Sequence, residues 1–259
     1  MVTGIAKVRN EAHIISDTLD NWAPICDGGI HVYDDCSNDD TPDLCRRHSA
    51  VKEVLQSTLF DPDRERAEWF NRQAVLASAQ RFMGPRDWVV YFDADEHLWD
   101  FDRSILDRPG VNLVAFRSFD AYIAPEDAHL PDRSYAERRW VGPEYEVCHY
   151  FYRNLLAPRF HLPDQRHMSV DPRRGDTHAH VVDRILHWGA AISVDAWERK
   201  CDYYAEVFGP KYATKWANRR GKAVQTDMKS RYGNPLVLWE DVRAGKAETM
   251  PRRGLPFVK

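Results

Sequence analysis

An α/β fold with a mostly parallel sheet is predicted by three features of the sequence. Short apolar runs alternate with segments of helical period from residue 3 to residue 92, and that alternation is the pattern of a doubly wound sheet. One run, Trp88-Val89-Val90-Tyr91-Phe92, is apolar throughout, as a strand covered on both faces must be. Carboxylates gather just after the predicted strands, and in such sheets ligands bind outside the carboxyl ends of the strands.

Each element has its own local reason. Residues 3–8 predict a first strand, broken by Arg9-Asn10-Glu11. Ala12, Ile15, Leu19 and Trp22 then share a helical face until Pro24 stops the helix. Ile30 to Tyr33 is a second strand. Thr41-Pro42 opens a short helix to about His48, with Thr as cap and Pro at the first helical position. Val51 to Leu55 is a third strand. A long helix runs from about Arg64 to Phe82, with Phe70, Ala74 and Ala77 on its apolar face. Beyond residue 100 the pattern is less regular. Strands are expected at 111–117 and 147–153, separated by Pro-rich charged segments at 124–146 and 157–177. Ser193 caps a helix whose Trp197, Cys201, Tyr204 and Phe208 form a stripe. From Ala244 onward, prolines, glycines and basic residues read as a flexible tail, so a domain is expected over 1–243 and a tail over 244–259.

Composition excludes several classes. The 259 residues are 43% hydrophobic and 29% charged, the balance of a globular chain long enough for a full core. A net charge of -4 argues against nucleic acid as a partner. No apolar run approaches the ~20 residues of a membrane span, and the first ten residues do not read as a signal peptide. A cytoplasmic protein is expected, compatible with peripheral membrane contact. Five scattered cysteines with no Cys-x-x-Cys pair read as reduced thiols.

The chemistry lies in the carboxylates. Asp34 and Asp35 close one strand; Asp93, Asp95 and Glu96 close another. If the extended chain continues past Phe92, Asp93 and Asp95 point the same way. Two such carboxylates repel unless a cation lies between them, and a hard Mg²⁺ or Mn²⁺ suits oxygen donors while keeping positions for phosphate. An acidic strand end that merely caps a helix is the rival reading. An EF-hand loop starting at Asp35 needs a glutamate where Arg46 stands, and a phosphatase of the Asp-x-Asp-x-Thr kind needs a hydroxyl where His97 stands.

Three segments carry a family likeness. Val8-Arg9-Asn10-Glu11, Tyr33-Asp34-Asp35-Cys36-Ser37-Asn38-Asp39-Asp40-Thr41 and Trp88-Val89-Val90-Tyr91-Phe92-Asp93-Ala94-Asp95-Glu96 resemble, in order and spacing, the KNE, DDGSTDGT and DADE motifs of family-2-like glycosyltransferases with a GT-A fold. Cys36 stands where those motifs usually have Gly. Leu186-His187-Trp188 to Ser193, with Lys200 beyond, is similar to the HYPxRS…K segment of one branch, with Ile192 in place of its Arg. The likeness covers about the first 100 residues, and implies a nucleotide-sugar half at 1–100 and an acceptor half at 101–243.

The resemblance implies an inverting transferase that moves a sugar from a nucleotide-diphosphate donor to a hydroxyl of a carbohydrate, glycan or lipid-linked acceptor. Asp35 would meet the base or ribose, with Arg9, Asn10 and Glu11 lining the same site. Asp93 would meet ribose or metal, and Asp95 the metal, Mn²⁺ or Mg²⁺. Arg64 or Arg66, at the mouth of the long helix, would add a diphosphate contact; the rival reading is a solvated helix start beside Asp63, Glu65 and Glu68. The general base would be Asp120 or Glu144. His187, or else His180, would be a third metal ligand, since imidazole suits Mn²⁺; a hydrogen-bonded core histidine is the alternative. Two other functions compete: a metal-dependent hydrolase built on His178, His180 and Asp183, and a non-catalytic module that binds nucleotide sugars.

Overall fold

The computed structural model describes residues 1–161, 167–207 and 210–252, without the side chains at 149, 183, 211 and 212. In chain order the first elements are β1 (Val2–Val8), α1 (Ile15–Trp22), β2 (Ile30–Asp34), α2 (Thr41–Arg47), β3 (Val51–Gln56), α3 (Arg64–Gln80), β4 (Trp88–Tyr91) and β5 (Glu96–Trp99). They are followed by β6 (Leu113–Tyr122), β7 (Trp140–Arg153), β8 (His180–His187), α4 (Val194–Val207), α5 (Pro210–Ala217), β9 (Val237–Leu238), α6 (Trp239–Arg243) and β10 (Met250–Pro251). The α/β class expected from the sequence is the class observed. Among the described residues two compact units divide the chain: 1–117 with 147–184, and 118–146 with 185–252.

In the first unit β1 lies between β2 and β4, and all three run parallel. Val8 registers with Asp34, and Ile5 with Tyr91. β3 extends the parallel set beside β2, and the end of β7 pairs antiparallel to β4, Arg153 opposite Trp88. Helices cover both faces because the strands are apolar on both. On one face α1 buries Ile15, Thr18, Leu19 and Trp22, an i, i+3, i+4, i+7 stripe, and the Trp22 ring stacks on Phe92 at 4.6 Å. Gly4 belongs to this face: a Cβ there would meet Cys26 Sγ at 2.8 Å and Phe92 at 3.1 Å, so only glycine lets the layers close. On the other face Val75, Leu76 and Ala79 of α3 join Ile5, Val89 and Tyr152 in one core.

α3 corrects the sequence reading. Phe70 is 57% exposed and Ala77 is exposed; the buried face instead carries Arg64, Glu68, Asn71, Arg72, Val75, Leu76 and Ala79. Helical apolar spacing favoured Phe70 because it counted only apolar residues, whereas the face turned inward holds charged residues that find partners.

In the second unit β9 pairs antiparallel and β10 parallel to β7, with Trp140 opposite Leu238 and Met250 opposite Glu144. Arg138 is buried there, its guanidinium donating to the carbonyls of Asp127, Leu130, Ala191 and Ile192. Ser193 caps α4 as expected, its Oγ accepting from Ala196 N at 3.0 Å. Trp197 and Cys201 are buried on that helix; Phe208 lies outside the described residues. Asp120 and Glu144, which lie outside the strands expected at 111–117 and 147–153, are strand residues of β6 and β7. The described part of the expected flexible tail, 244–252, is held in place: β10 pairs with β7, and Arg252 bonds Asp120 at 2.5 Å and Glu146 at 3.1 Å.

Candidate functional site

Parallel register brings the three motifs of the first unit to one edge. Because Val8 is level with Asp34, the Arg9-Asn10-Glu11 segment leaves β1 beside the Asp35 turn of β2. Asp35 N bonds Val8 O at 2.9 Å, and Phe92 N bonds Ile5 O at 3.2 Å, so Asp93 leaves β4 on the same edge. Side chains lock the first two loops together. Asn10 Oδ1 accepts from Asn38 N at 2.9 Å, Asn10 N donates to Ser37 Oγ at 2.9 Å, and Glu11 N donates to Thr41 Oγ1 at 2.8 Å. Arg9 donates to the carbonyls of Asp35 and Cys36. The guanidinium carbons of Arg9 and Arg64 lie 4.6 and 4.5 Å from the centre of the Phe60 ring.

Asp35 is only 1% exposed. Its Oδ2 bonds Arg64 and lies 3.2 Å from Lys7 Nζ. Burial alone would raise its pKa, but Lys7 and Arg64 outweigh burial and hold the carboxyl below its usual range. The cluster continues along α3. Lys7 also pairs with Glu68, Arg64 lies 3.4 Å from Glu68, and Arg72 lies 3.4 Å from the other Glu68 oxygen. Arg72 Nε then donates to Tyr91 Oη at 2.9 Å, and Tyr91 Oη donates to Asp93 Oδ1 at 2.6 Å. A continuous polar chain thus joins the acidic end of β2 to that of β4. The sequence reading missed Lys7, Glu68, Arg72 and Tyr91; the available signal was the i, i+4, i+8 spacing of Arg64, Glu68 and Arg72. Arg64 is buried rather than at a solvated helix start, whereas Arg66 is exposed and held by Asp61 at 2.8 Å and Asp63 at 3.7 Å.

The Asp93–Glu96 segment is not extended. β4 ends at Tyr91, and Ala94-Asp95 form a turn, so strand alternation does not set the directions of Asp93 and Asp95. The turn is cinched by Glu96: its Oε2 accepts from Asp93 N at 3.0 Å, and its N donates to Asp93 O at 3.2 Å. Glu96 is fully buried, and Tyr150 Oη donates to it at 3.0 Å. It therefore shapes the loop that carries the two aspartates. Asp93 is half-buried and Asp95 buried. Asp93, Asp95 and Glu96 do not bring three ligand atoms around one point. Two aspartates on a tight loop fit a hard cation that takes its remaining oxygens from water and phosphate. His97 follows them, 3.1 Å from Thr18 Oγ1; burial depresses its pKa to about 4, so its imidazole is neutral at pH 7.

The second unit holds the other predicted residues. His187 Nδ1 lies 2.7 Å from Asp120 Oδ1, and Arg231 and Arg252 reach Asp120 Oδ2 at 3.0 and 2.5 Å. Burial would raise the Asp120 pKa, but Arg231, His187 and Arg252 outweigh it and hold the carboxyl well below its usual range. Such an anion takes a proton reluctantly. Glu144 accepts from Ser230 Oγ at 2.6 Å and from Asn234 Nδ2. Lys200 donates to Gly189 O at 3.2 Å. The histidines of the competing hydrolase reading, His178 and His180, are exposed in the first unit, and the Asp183 side chain lies outside the described residues.

No family model matches the chain. It is 31% identical over 123 residues to uncharacterized proteins of Mycobacterium tuberculosis and Mycobacterium bovis. The match covers 44% of this chain and 28% of theirs, so the chain spans less than a third of the length of these curated relatives. Among solved structures it is similar to residues 1–349 of TarS from S. aureus, with a TM-score of 0.43, 13% identity, and coverage of 84% of this chain and 71% of that one. It is also similar to glucosyl-3-phosphoglycerate synthase from Mycobacterium tuberculosis with Mn²⁺, UDP and glucosyl-3-phosphoglycerate, with a TM-score of 0.39, 17% identity and 80% of each chain covered. No described helix is long and apolar enough to cross a membrane.

Proposed function

We propose that this chain is a GT-A glycosyltransferase that moves a sugar from a nucleotide-diphosphate donor to an acceptor hydroxyl, with inversion and with a divalent cation. The observation that carries this reading is the alignment of the three motifs on adjacent parallel strands, at the edge where such sheets bind ligands. Asp35, with Arg9, Asn10 and Glu11 on the neighbouring loop, holds the nucleoside: ribose hydroxyls and base N–H groups donate, and carboxylates accept. Asp93 and Asp95 hold Mn²⁺ or Mg²⁺, and that cation neutralises charge developing on the leaving diphosphate. Arg66 is retained as a diphosphate contact, one that requires release from Asp61 and Asp63.

Inversion needs one base on the acceptor hydroxyl, which attacks the anomeric carbon as the bond to the diphosphate breaks. Of the two carboxylates proposed for that role, Glu144 is favoured, because the guanidiniums on Asp120 oppose protonation. Asp120 instead orients His187, the proposed further cation ligand, as carboxylates commonly orient ligating imidazoles. The acceptor is a carbohydrate, glycan or lipid-linked hydroxyl compound.

The test is a thermal-shift panel of UDP-, GDP-, CMP- and dTDP-sugars with and without Mn²⁺, followed by release of nucleoside diphosphate. Selective donor binding raises apparent stability. One donor is expected to stabilise the protein in Mn²⁺, with turnover lost in chelator and in Asp95→Asn while the fold survives. Full turnover in EDTA, or no stabilisation by any donor, would count against the reading.

A further inference from the structure

We propose that Tyr91, Arg72 and Glu68 are positioning residues that fix the cation-binding aspartate and couple it to the nucleotide end of the site; this rests on the glycosyltransferase reading above. The direction of the hydrogen bonds carries the inference. A guanidinium only donates, so Tyr91 Oη accepts from Arg72 Nε at 2.9 Å, and its own proton goes to Asp93 Oδ1 at 2.6 Å. The tyrosine ring is 3% exposed and belongs to the core beneath the sheet. Asp93 is therefore steered by a donor that cannot swing away. Arg72 is fixed in turn by Glu68 at 3.4 Å, one turn earlier on α3.

Glu68 is the branch point. It meets Arg72 through one oxygen, and Lys7 and Arg64 through the other; both of those cations also hold Asp35. Three carboxylates (Asp35, Glu68, Asp93) and three cations (Lys7, Arg64, Arg72) thus lie along one continuous path. A charge brought to either end is met through groups shared with the other. Substitution of groups that orient metal ligands typically weakens metal affinity by about 10–100-fold.

The experiment measures two affinities separately by titration calorimetry: Mn²⁺ alone, and UDP or GDP in chelator. Tyr91→Phe keeps the ring and removes only the hydroxyl. It is expected to weaken Mn²⁺ by about tenfold and leave metal-free nucleotide binding unchanged. Glu68→Gln is expected to weaken both. A Tyr91→Phe protein with a lowered melting temperature but wild-type Mn²⁺ affinity would show a structural role only and overturn the proposal. Should Glu68→Gln not fold, Tyr91→Phe still decides the cation arm, and Arg72→Lys, which keeps the charge but not the guanidinium fork, tests the link by the same two titrations. Wild-type protein that binds neither Mn²⁺ nor nucleotide overturns the glycosyltransferase reading itself. Wild-type binding with unchanged variants overturns this proposal alone.

Discussion

Cys36 turns the chain just after β2 with φ 55, in the left-handed region that glycine occupies at little cost. That is the position where the resembling motif has Gly. The cysteine tolerates it with its Sγ 3.2 Å from Ser57 O. Asn10, across from it, has φ 55 as well, and asparagine is among the residues that accept this region. Cys36→Gly should be neutral or slightly stabilising. Cys36→Val places a β-branched side chain where L-residues already cost about 1–2 kcal/mol and should lower the urea midpoint accordingly. Equal midpoints for the two variants would show that the turn is not left-handed. At the same scale, Asp35 is both a proposed nucleotide contact and a buried ion-pair partner. Asp35→Ala should therefore lose about 3–5 kcal/mol, the usual cost of leaving buried charges unpaired, besides weakening nucleotide binding. An undiminished denaturation midpoint would argue that Lys7 and Arg64 do not depend on it.

α3 is the element on which the site depends most. One face holds two kinds of contact: Val75, Leu76 and Ala79 join the core, while Arg64, Glu68 and Arg72, nearer its start, reach the strand ends. The helix begins with Asp63 capping Arg66 N at 3.2 Å. Leu76→Ala, at a fully buried position, should cost about 2–5 kcal/mol. Phe70→Glu, on the exposed face, should change stability by no more than about 0.5 kcal/mol. Chemical denaturation of the two variants checks the orientation of the helix, and a larger loss for Phe70→Glu would reverse it. In the second unit the same logic applies to β10: two strand residues and Arg252 hold a segment whose composition alone reads as a tail.

For the whole molecule, buried titratable groups set the response to acid. Unfolded His97 titrates near ~6.5, whereas in the fold burial lowers its pKa to about 4. Between those values the unfolded chain binds the proton and the folded chain does not. Stability from this group is therefore complete above ~6.5 and falls as pH drops toward 4, by on the order of 3 kcal/mol. Asp35 and Asp120, both depressed by their cations, add a second loss that begins only below ~4, the unfolded carboxylate value. Urea midpoints at pH 7, 5.5 and 4.5 should fall steadily, and His97→Gln should flatten the decline. An equally steep decline in that variant would assign it to other groups.

By itself the sequence determined the alternating α/β order, the buried strand that precedes the Asp93-Ala94-Asp95-Glu96 segment, and the segments that meet at one edge. These follow from local rules: apolar runs make strands, caps and prolines bound helices, and parallel strands put their carboxyl ends together. It could not determine which face of α3 turns inward. A buried arginine is stable only if carboxylates from other strands reach it, and apolar periodicity is blind to such partners. Nor did it show that Glu96 is a buried brace for the Asp93 loop rather than a third acidic ligand, since that depends on Tyr150, 54 residues away. The roles of Asp120, His187 and Arg252 lay equally beyond it. Their spacing of 67 and 132 residues carries no local signal, and only tertiary structure brings two cations and an imidazole to one carboxylate and so decides how that carboxylate holds its proton.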